Sequence, residues 1–128
     1  MSKILAFGAS SAKDSMNKKL ASFVANKIAP REASLIDLND YEMPIYSDDR
    51  KRDSGIPKKA YDFKNLIKTS EGIIISFAEH NGSYTAAFKN IYDWISVIEK
   101  VVWNNKPMLL LSTSPGARGG KSVLNSAL

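Results

Sequence analysis

A chain of 128 residues and 14.1 kDa carries one domain's worth of sequence, enough to bury about two-thirds of its extended surface around a single core. Its 44% hydrophobic and 24% charged residues match globular averages and exclude disorder and fibrous repeats. The absence of cysteine and the single histidine, His80, exclude disulfides, thiolate metal sites, cysteine nucleophiles and His-rich zinc centres, while the net charge of +5 favours phosphorylated ligands.

In chain order, Lys3 to Phe7 is a short apolar run ended by Gly8, the pattern of a strand buried on both faces of a parallel sheet. The period then changes. Met16, Leu20, Phe23, Val24 and Ile28 fall at helical spacing after a cap at Ser15, and Pro30 stops the helix. Ala33 to Ile36 reads as a second strand. Residues 39 to 56 show no periodicity, and Pro44, Gly55 and the run Asp48 to Asp53, which mixes three acids with three bases, mark a long surface loop. That mixture argues against a nucleic-acid surface. From Pro57 a helix continues through Ala60, Phe63 and Ile67. Gly72 to Phe77 is the clearest buried strand. Ala87, Ile91, Trp94, Ile95 and Ile98 give a third amphipathic helix, with Trp94 on its core stripe and Trp103 open to either a core or a stacking role. Pro107 to Ser112 is a fourth strand. Strands alternating with helices of crossover length predict a three-layer α/β domain with a parallel sheet.

In such sheets a ligand sits beyond the carboxyl ends of the strands, where strand order reverses. Three loops rich in Gly, Ser and Asn lie there: Gly8 to Asn17, Ala78 to Thr85 and Thr113 to Gly120. The first lacks the glycines of a dinucleotide fingerprint and the Gly-Lys-Ser of a Walker loop. It retains a hydroxyl-rich turn opening a helix, where Ser10, Ser15 and the Asn17 amide suit a terminal phosphate; ordinary capping by Ser15 is the competing reading. The second, Glu79-His80-Asn81-Gly82-Ser83, suits a planar aromatic ligand laid across its backbone. His80 reads as a packing ring rather than a proton-transfer group, because no triad or carboxylate pair accompanies it. In the third, glycine density after a buried strand suggests backbone packed against a ligand, although a plain strand-to-helix turn also uses Gly. Arg118 suits a nucleotide phosphate, a partner chain or a bare surface position.

Taken together, the Gly8-Ala9-Ser10-Ser11 turn with Ser15 and Asn17, the run Glu79-His80-Asn81-Gly82-Ser83-Tyr84-Thr85-Ala86-Ala87-Phe88-Lys89-Asn90-Ile91-Tyr92-Asp93-Trp94, and Ser114-Pro115-Gly116 with Gly119-Gly120 resemble the NADPH-dependent FMN reductase family. The family includes quinone, azo-dye and chromate reductases. The resemblance covers nearly the whole chain, and Asn-Gly-Ser followed by Phe-Lys-Asn and Asp-Trp is its most specific part. It implies a flavodoxin-like fold, residues 1–128 forming a single FMN-binding domain of strand order 2-1-3-4, with a fifth strand of the family pattern expected to be missing at the C-terminus. It also implies that Ser10, Ser15, Met16 and Asn17 surround the FMN phosphate. Glu79, His80, Asn81, Gly82 and Ser83 would line the isoalloxazine, beside Ser114 and Gly116. Many members have Pro and Tyr where this chain has Ala78 and His80, and an Arg near the position of Lys13, departures that bear on flavin tuning and the nicotinamide contact.

The implied function is an oxidoreductase in which FMN takes hydride from NAD(P)H and reduces a small acceptor such as a quinone, free flavin, azo compound or metal oxyanion. No side-chain nucleophile or metal is needed, because the flavin carries the chemistry. The alternatives are a flavodoxin-type electron carrier, for which the basic charge would demand acidic partners, and a truncated fragment or interaction module that no longer holds FMN. A small-molecule acceptor, no nucleic acid, no membrane, a homo-oligomer of dimeric or higher order and a cytoplasmic location complete the expectations. The last rests on the lack of a signal-peptide layout or membrane-length apolar run.

Overall fold

The first strand, apolar at every position, lies in the interior of the sheet. In the computed structural model, which describes residues 4–10, 12, 15–78, 84–113 and 121–127, β1 (Ile4–Ala9) pairs in parallel with β2 (Ala33–Ile36) on one side and β3 (Gly72–Phe77) on the other. The last strand, β4 (Met108–Ser112), pairs with β3, also in parallel. The described sheet therefore has four parallel strands, as the alternation of strand and helix patterns predicts, in the order β2-β1-β3-β4 that the family resemblance implies. β3 is buried at every position, which is why no two-residue alternation shows in its sequence.

Side-chain alternation along β1 and β3 divides the interior between the two faces of the sheet. Leu5, Phe7, Ala9, Ile73, Ile75 and Phe77 point into the larger cluster. There they meet Phe63 and Ile67 of α3 (Lys58–Thr69), Phe88, Ile91, Trp94 and Ile95 of α4 (Ala86–Ser96), and Val123 of α5 (Lys121–Ala127). Edge-to-face contacts of Phe7 with Phe63 and of Phe77 with Phe88 run through this layer. Trp94 belongs to this core, and Trp103 stacks parallel to Phe88 at 6.3 Å, so both tryptophans are packing residues. On the opposite face Ala6 and Ile74 meet Ala25 of α1 (Met16–Ile28).

Two expectations need correction. The large apolar residues of α1 do not form the centre of its buried face: Met16, Phe23 and Ile28 are 48%, 62% and 57% exposed and Leu20 and Val24 are half-buried, while Asn17, Ala21 and Ala25 are buried. The reason is spacing. A Cβ on Gly8 would lie 2.5 Å from the Lys18 backbone nitrogen, so the helix rides almost on the sheet and only small side chains fit beneath it. Periodicity scored by hydrophobicity misses a face chosen by size.

Residues 39 to 56 are also not a plain loop. A 3-10 turn covers Leu38–Tyr41, and the charged run forms α2 (Asp48–Ser54). None of its residues is buried, so it has no apolar stripe to read. Its order of charge explains it instead. Ser47 caps the helix by accepting from the Arg50 N–H at 3.1 Å, Asp48 and Asp49 occupy the first turn, and Lys51 and Arg52 the last. Acids at the positive end and bases at the negative end complement the helix dipole. Gly55 ends it at φ 76°, a torsion that favours glycine.

Candidate functional site

The first helix opens at the carboxyl end of β1. Ser15, in extended conformation, accepts from the Lys18 N–H at 3.3 Å, so it is an N-cap in the ordinary sense. No acidic side chain lies in the first turn of α1, leaving the partial positive charge of its amides available to an anion. Ser10 sits beside this terminus, buried, its Oγ accepting from the Ala12 N–H at 3.1 Å. An accepting hydroxyl keeps its own O–H to donate, so capping and phosphate binding by Ser10 and Ser15 are compatible. Met16 stands half-exposed at the first helical position. These residues are thus brought together, as expected.

Asn17 lies at the same end but faces inward, 4% exposed. Its Oδ1 accepts from the Ser76 hydroxyl of β3 at 2.7 Å and from the Thr113 N–H at 3.1 Å, and its Nδ2 donates to the Thr113 carbonyl at 3.2 Å. The amide assigned from sequence to a phosphate is engaged with the protein itself, and the group Asn17 offers at the helix mouth is its backbone N–H. Glu79, His80, Asn81, Gly82, Ser83, Ser114 and Gly116 lie outside the described residues, and so do Lys13 and Arg118.

Three residues outside the expected site residues also shape this end of the sheet. Ser76 interrupts an apolar strand, and a buried hydroxyl there requires a partner; that mismatch was the available signal. Thr113 contributes only backbone groups and left none. Thr85 is buried at the start of α4, where it accepts from the Phe88 N–H at 3.2 Å and donates to the Ala9 carbonyl at 3.0 Å. It caps one helix and ties it to the end of β1. Thr85→Val keeps the shape and removes both bonds, and is expected to cost about 1 to 2 kcal/mol in urea unfolding. A change below a few tenths would show that the hydroxyl holds nothing.

The local charges are paired. Lys18 Nζ meets Asp37 Oδ2 at 3.0 Å, and Asp37 also accepts from the Asn39 N–H at 2.9 Å. That backbone bond, followed by the lysine, holds the Asp37 carboxyl below its ordinary value. Lys18 is therefore committed to β2's exit rather than directed at the helix mouth. Behind the site, Asn90 accepts from the Tyr46 N–H at 2.8 Å and donates to the Met43 and Pro44 carbonyls, while Trp94 donates to Pro44 at 2.8 Å. The Asn and Trp of the most specific sequence stretch thus pin residues 43 to 46 against α4. Among the described residues there is no cluster of His, Cys, Asp and Glu that could hold a metal ion, and no helix is long and apolar enough to cross a membrane.

The family model for NADPH-dependent FMN reductases matches residues 2–128. The chain belongs to that family. Among its relatives, a 2-hydroxy-1,4-benzoquinone reductase from a Burkholderia species is 37% identical over 108 residues, covering 84% of the chain and 57% of the relative. An NADPH azoreductase from Bacillus sp. (strain OY1-2) is 29% identical, covering 97% of the chain and 65% of the relative. Among solved structures, the flavoenzyme NAD(P)H:(acceptor) oxidoreductase FerB from Paracoccus denitrificans superposes with a TM-score of 0.78 at 28% identity, covering 99% of the chain and 69% of that protein. The chain thus spans less than two-thirds of the length of these two sequence relatives.

Proposed function

We propose that this chain holds FMN at the carboxyl ends of β1, β3 and β4 and serves NAD(P)H-dependent reduction of a small acceptor. The observation that carries the reading is the mouth of α1. A capped helix N-terminus backed against Gly8 stands where the sheet order turns from β1–β2 to β1–β3, the switch point at which α/β sheets bind ligands. The residues there fit a terminal phosphate. Ser10 and Ser15 would donate hydroxyls to it, and the backbone N–H groups of the first turn, Met16 and Asn17 included, would face its charge. The isoalloxazine would fall to Glu79, His80, Asn81, Gly82 and Ser83, with Ser114 and Gly116 alongside, as the family resemblance implies.

When bound, FMN supplies the capacity to accept hydride from a nicotinamide and return two electrons to an acceptor. The protein's part is to fix the phosphate end and orient the ring. The named activities of the Burkholderia and Bacillus relatives favour a quinone or azo compound as the acceptor. A homodimer, which rests on the family resemblance, and a cytoplasmic location belong to the same proposal; sedimentation of the purified chain tests the former.

The activity is tested by steady-state oxidation of NADPH and of NADH by the FMN-loaded chain with 1,4-benzoquinone. Quinone-dependent turnover is expected. Bound FMN without turnover of either nucleotide would defeat the enzyme reading.

A further inference from the structure

We propose that Asn17 is a positioning residue that locks the start of α1 to the ends of β3 and β4, so that the phosphate end and the ring end of the site are held as one unit; this rests on the flavin reading above. The side chain is buried, and its three bonds reach Ser76 in β3 and Thr113 directly after β4. Ser76 anchors it to β3, whose chain runs on into residues 79–83. Thr113, held through both its N–H and its carbonyl, is the last described residue before positions 114–120. Asn17 is the second residue of α1, so its backbone N–H belongs to the amides directed at the phosphate. One residue thus faces the phosphate with its backbone and fixes the departure points of the other two loops with its side chain.

An amide suits this place because it offers an acceptor and a donor at one position. Thr113 presents both a donor and an acceptor, and only Asn or Gln answers both at once. Aspartate would set a carboxylate against the Thr113 carbonyl, and alanine would leave buried groups unpaired. Lys18 follows directly in sequence and ties the same turn of helix to Asp37 beyond β2, so the helix mouth is fixed toward strands on both sides of β1.

The experiment compares FMN with riboflavin, which lacks the phosphate, by equilibrium dialysis against the unaltered chain, Asn17→Ala and Ser76→Ala. Amide exchange at Thr113 is followed in the flavin-free protein. A brace predicts that Asn17→Ala weakens riboflavin by about tenfold and FMN by at least as much, because the ring end moves with the phosphate end. Ser76→Ala, the milder variant, should weaken both by about threefold, and the double variant should be no worse than Asn17→Ala alone. Exchange at Thr113 should quicken by about tenfold in Asn17→Ala. A loss confined to FMN, with riboflavin unaffected, would make Asn17 a phosphate ligand and overturn the proposal; so would unchanged exchange at Thr113. If the unaltered chain binds neither flavin, the flavin reading fails, and exchange at Thr113 still decides whether the brace exists.

Discussion

Replacing Gly8 by Ala is expected to destabilise the chain by about 2 to 3 kcal/mol and to weaken its hold on FMN. The added methyl would lie 2.5 Å from the Lys18 nitrogen, 2.7 Å from the Lys18 Cα and 2.9 Å from the Asn17 carbonyl carbon. All three are backbone atoms and cannot swing aside as a side chain would. The first turn of α1 must retreat from β1, carrying the Ser15 cap and the Asn17 bonds with it. Gly55→Ala provides the contrast, because nothing lies within 4 Å of a Cβ there and its φ is 76°. Its cost is torsional, about 1 to 2 kcal/mol, and FMN binding should be untouched. Urea unfolding with FMN titration measures both variants. Unchanged stability in Gly8→Ala would mean that the helix does not rest on this strand.

Lys64→Met is expected to destabilise by about 1 to 3 kcal/mol, since the buried Val102 carbonyl loses its Lys64 donor while the Val101 carbonyl still accepts from the Asn104 N–H at 3.2 Å. Lys64 is 2% exposed on α3, and its Nζ donates to the carbonyls of Val101 at 2.8 Å and Val102 at 2.5 Å while meeting Glu99 Oε1 at 3.1 Å. Methionine fills the volume but donates nothing. The loss falls on the turn that leads from α4 to β4, where Asn104 and Asn105 take left-handed φ values of 53° and 56°, a conformation asparagine tolerates better than most residues.

The same cluster gives the unaltered protein an acid limb. Bonds from Lys64 and then Asn104 hold the Glu99 carboxyl below its ordinary value, so its contribution is complete above the unfolded value and is lost as pH falls through the folded one. In Lys64→Met that part of the limb should flatten. Urea midpoints from neutral pH down to pH 3 test this, and an unaltered acid limb in the variant would show that the Lys64–Glu99 pair adds nothing.

What the sequence revealed follows from which physical signals are local. β1 and β3 were legible because interior strands of a parallel sheet are mostly apolar, β4 because it is an apolar run although none of its residues is fully buried, and β2 agreed residue for residue with the expected Ala33 to Ile36. α2 was hidden because its stability comes from caps and charge order rather than an apolar stripe. The buried face of α1 was misread because Asn17, Ala21 and Ala25 are selected by closeness to Gly8, a fact of three dimensions. Lys64 leaves no local signal in the sequence, since its carbonyl partners lie 37 and 38 residues away.

At the candidate site, the capped start of α1 at Ser15, with Ser10 beside it, was legible from the hydroxyl-rich turn and the helix it opens, while Met16 came only with the family resemblance. The inward role of Asn17 was not, because its partners on β3 and after β4 are 59 and 96 residues distant. Ser76 and Thr113 escaped for the same reason: a bond between distant segments leaves no spacing in the chain.

The central claim is that the mouth of α1 binds a flavin through its phosphate. Equilibrium dialysis of the unaltered chain with FMN and with riboflavin tests it most directly. FMN should bind at least about tenfold more tightly, the least expected from charge-assisted bonds made by the helix amides and the hydroxyls of Ser10 and Ser15. Equal affinity for the two flavins, or binding of neither, would contradict it.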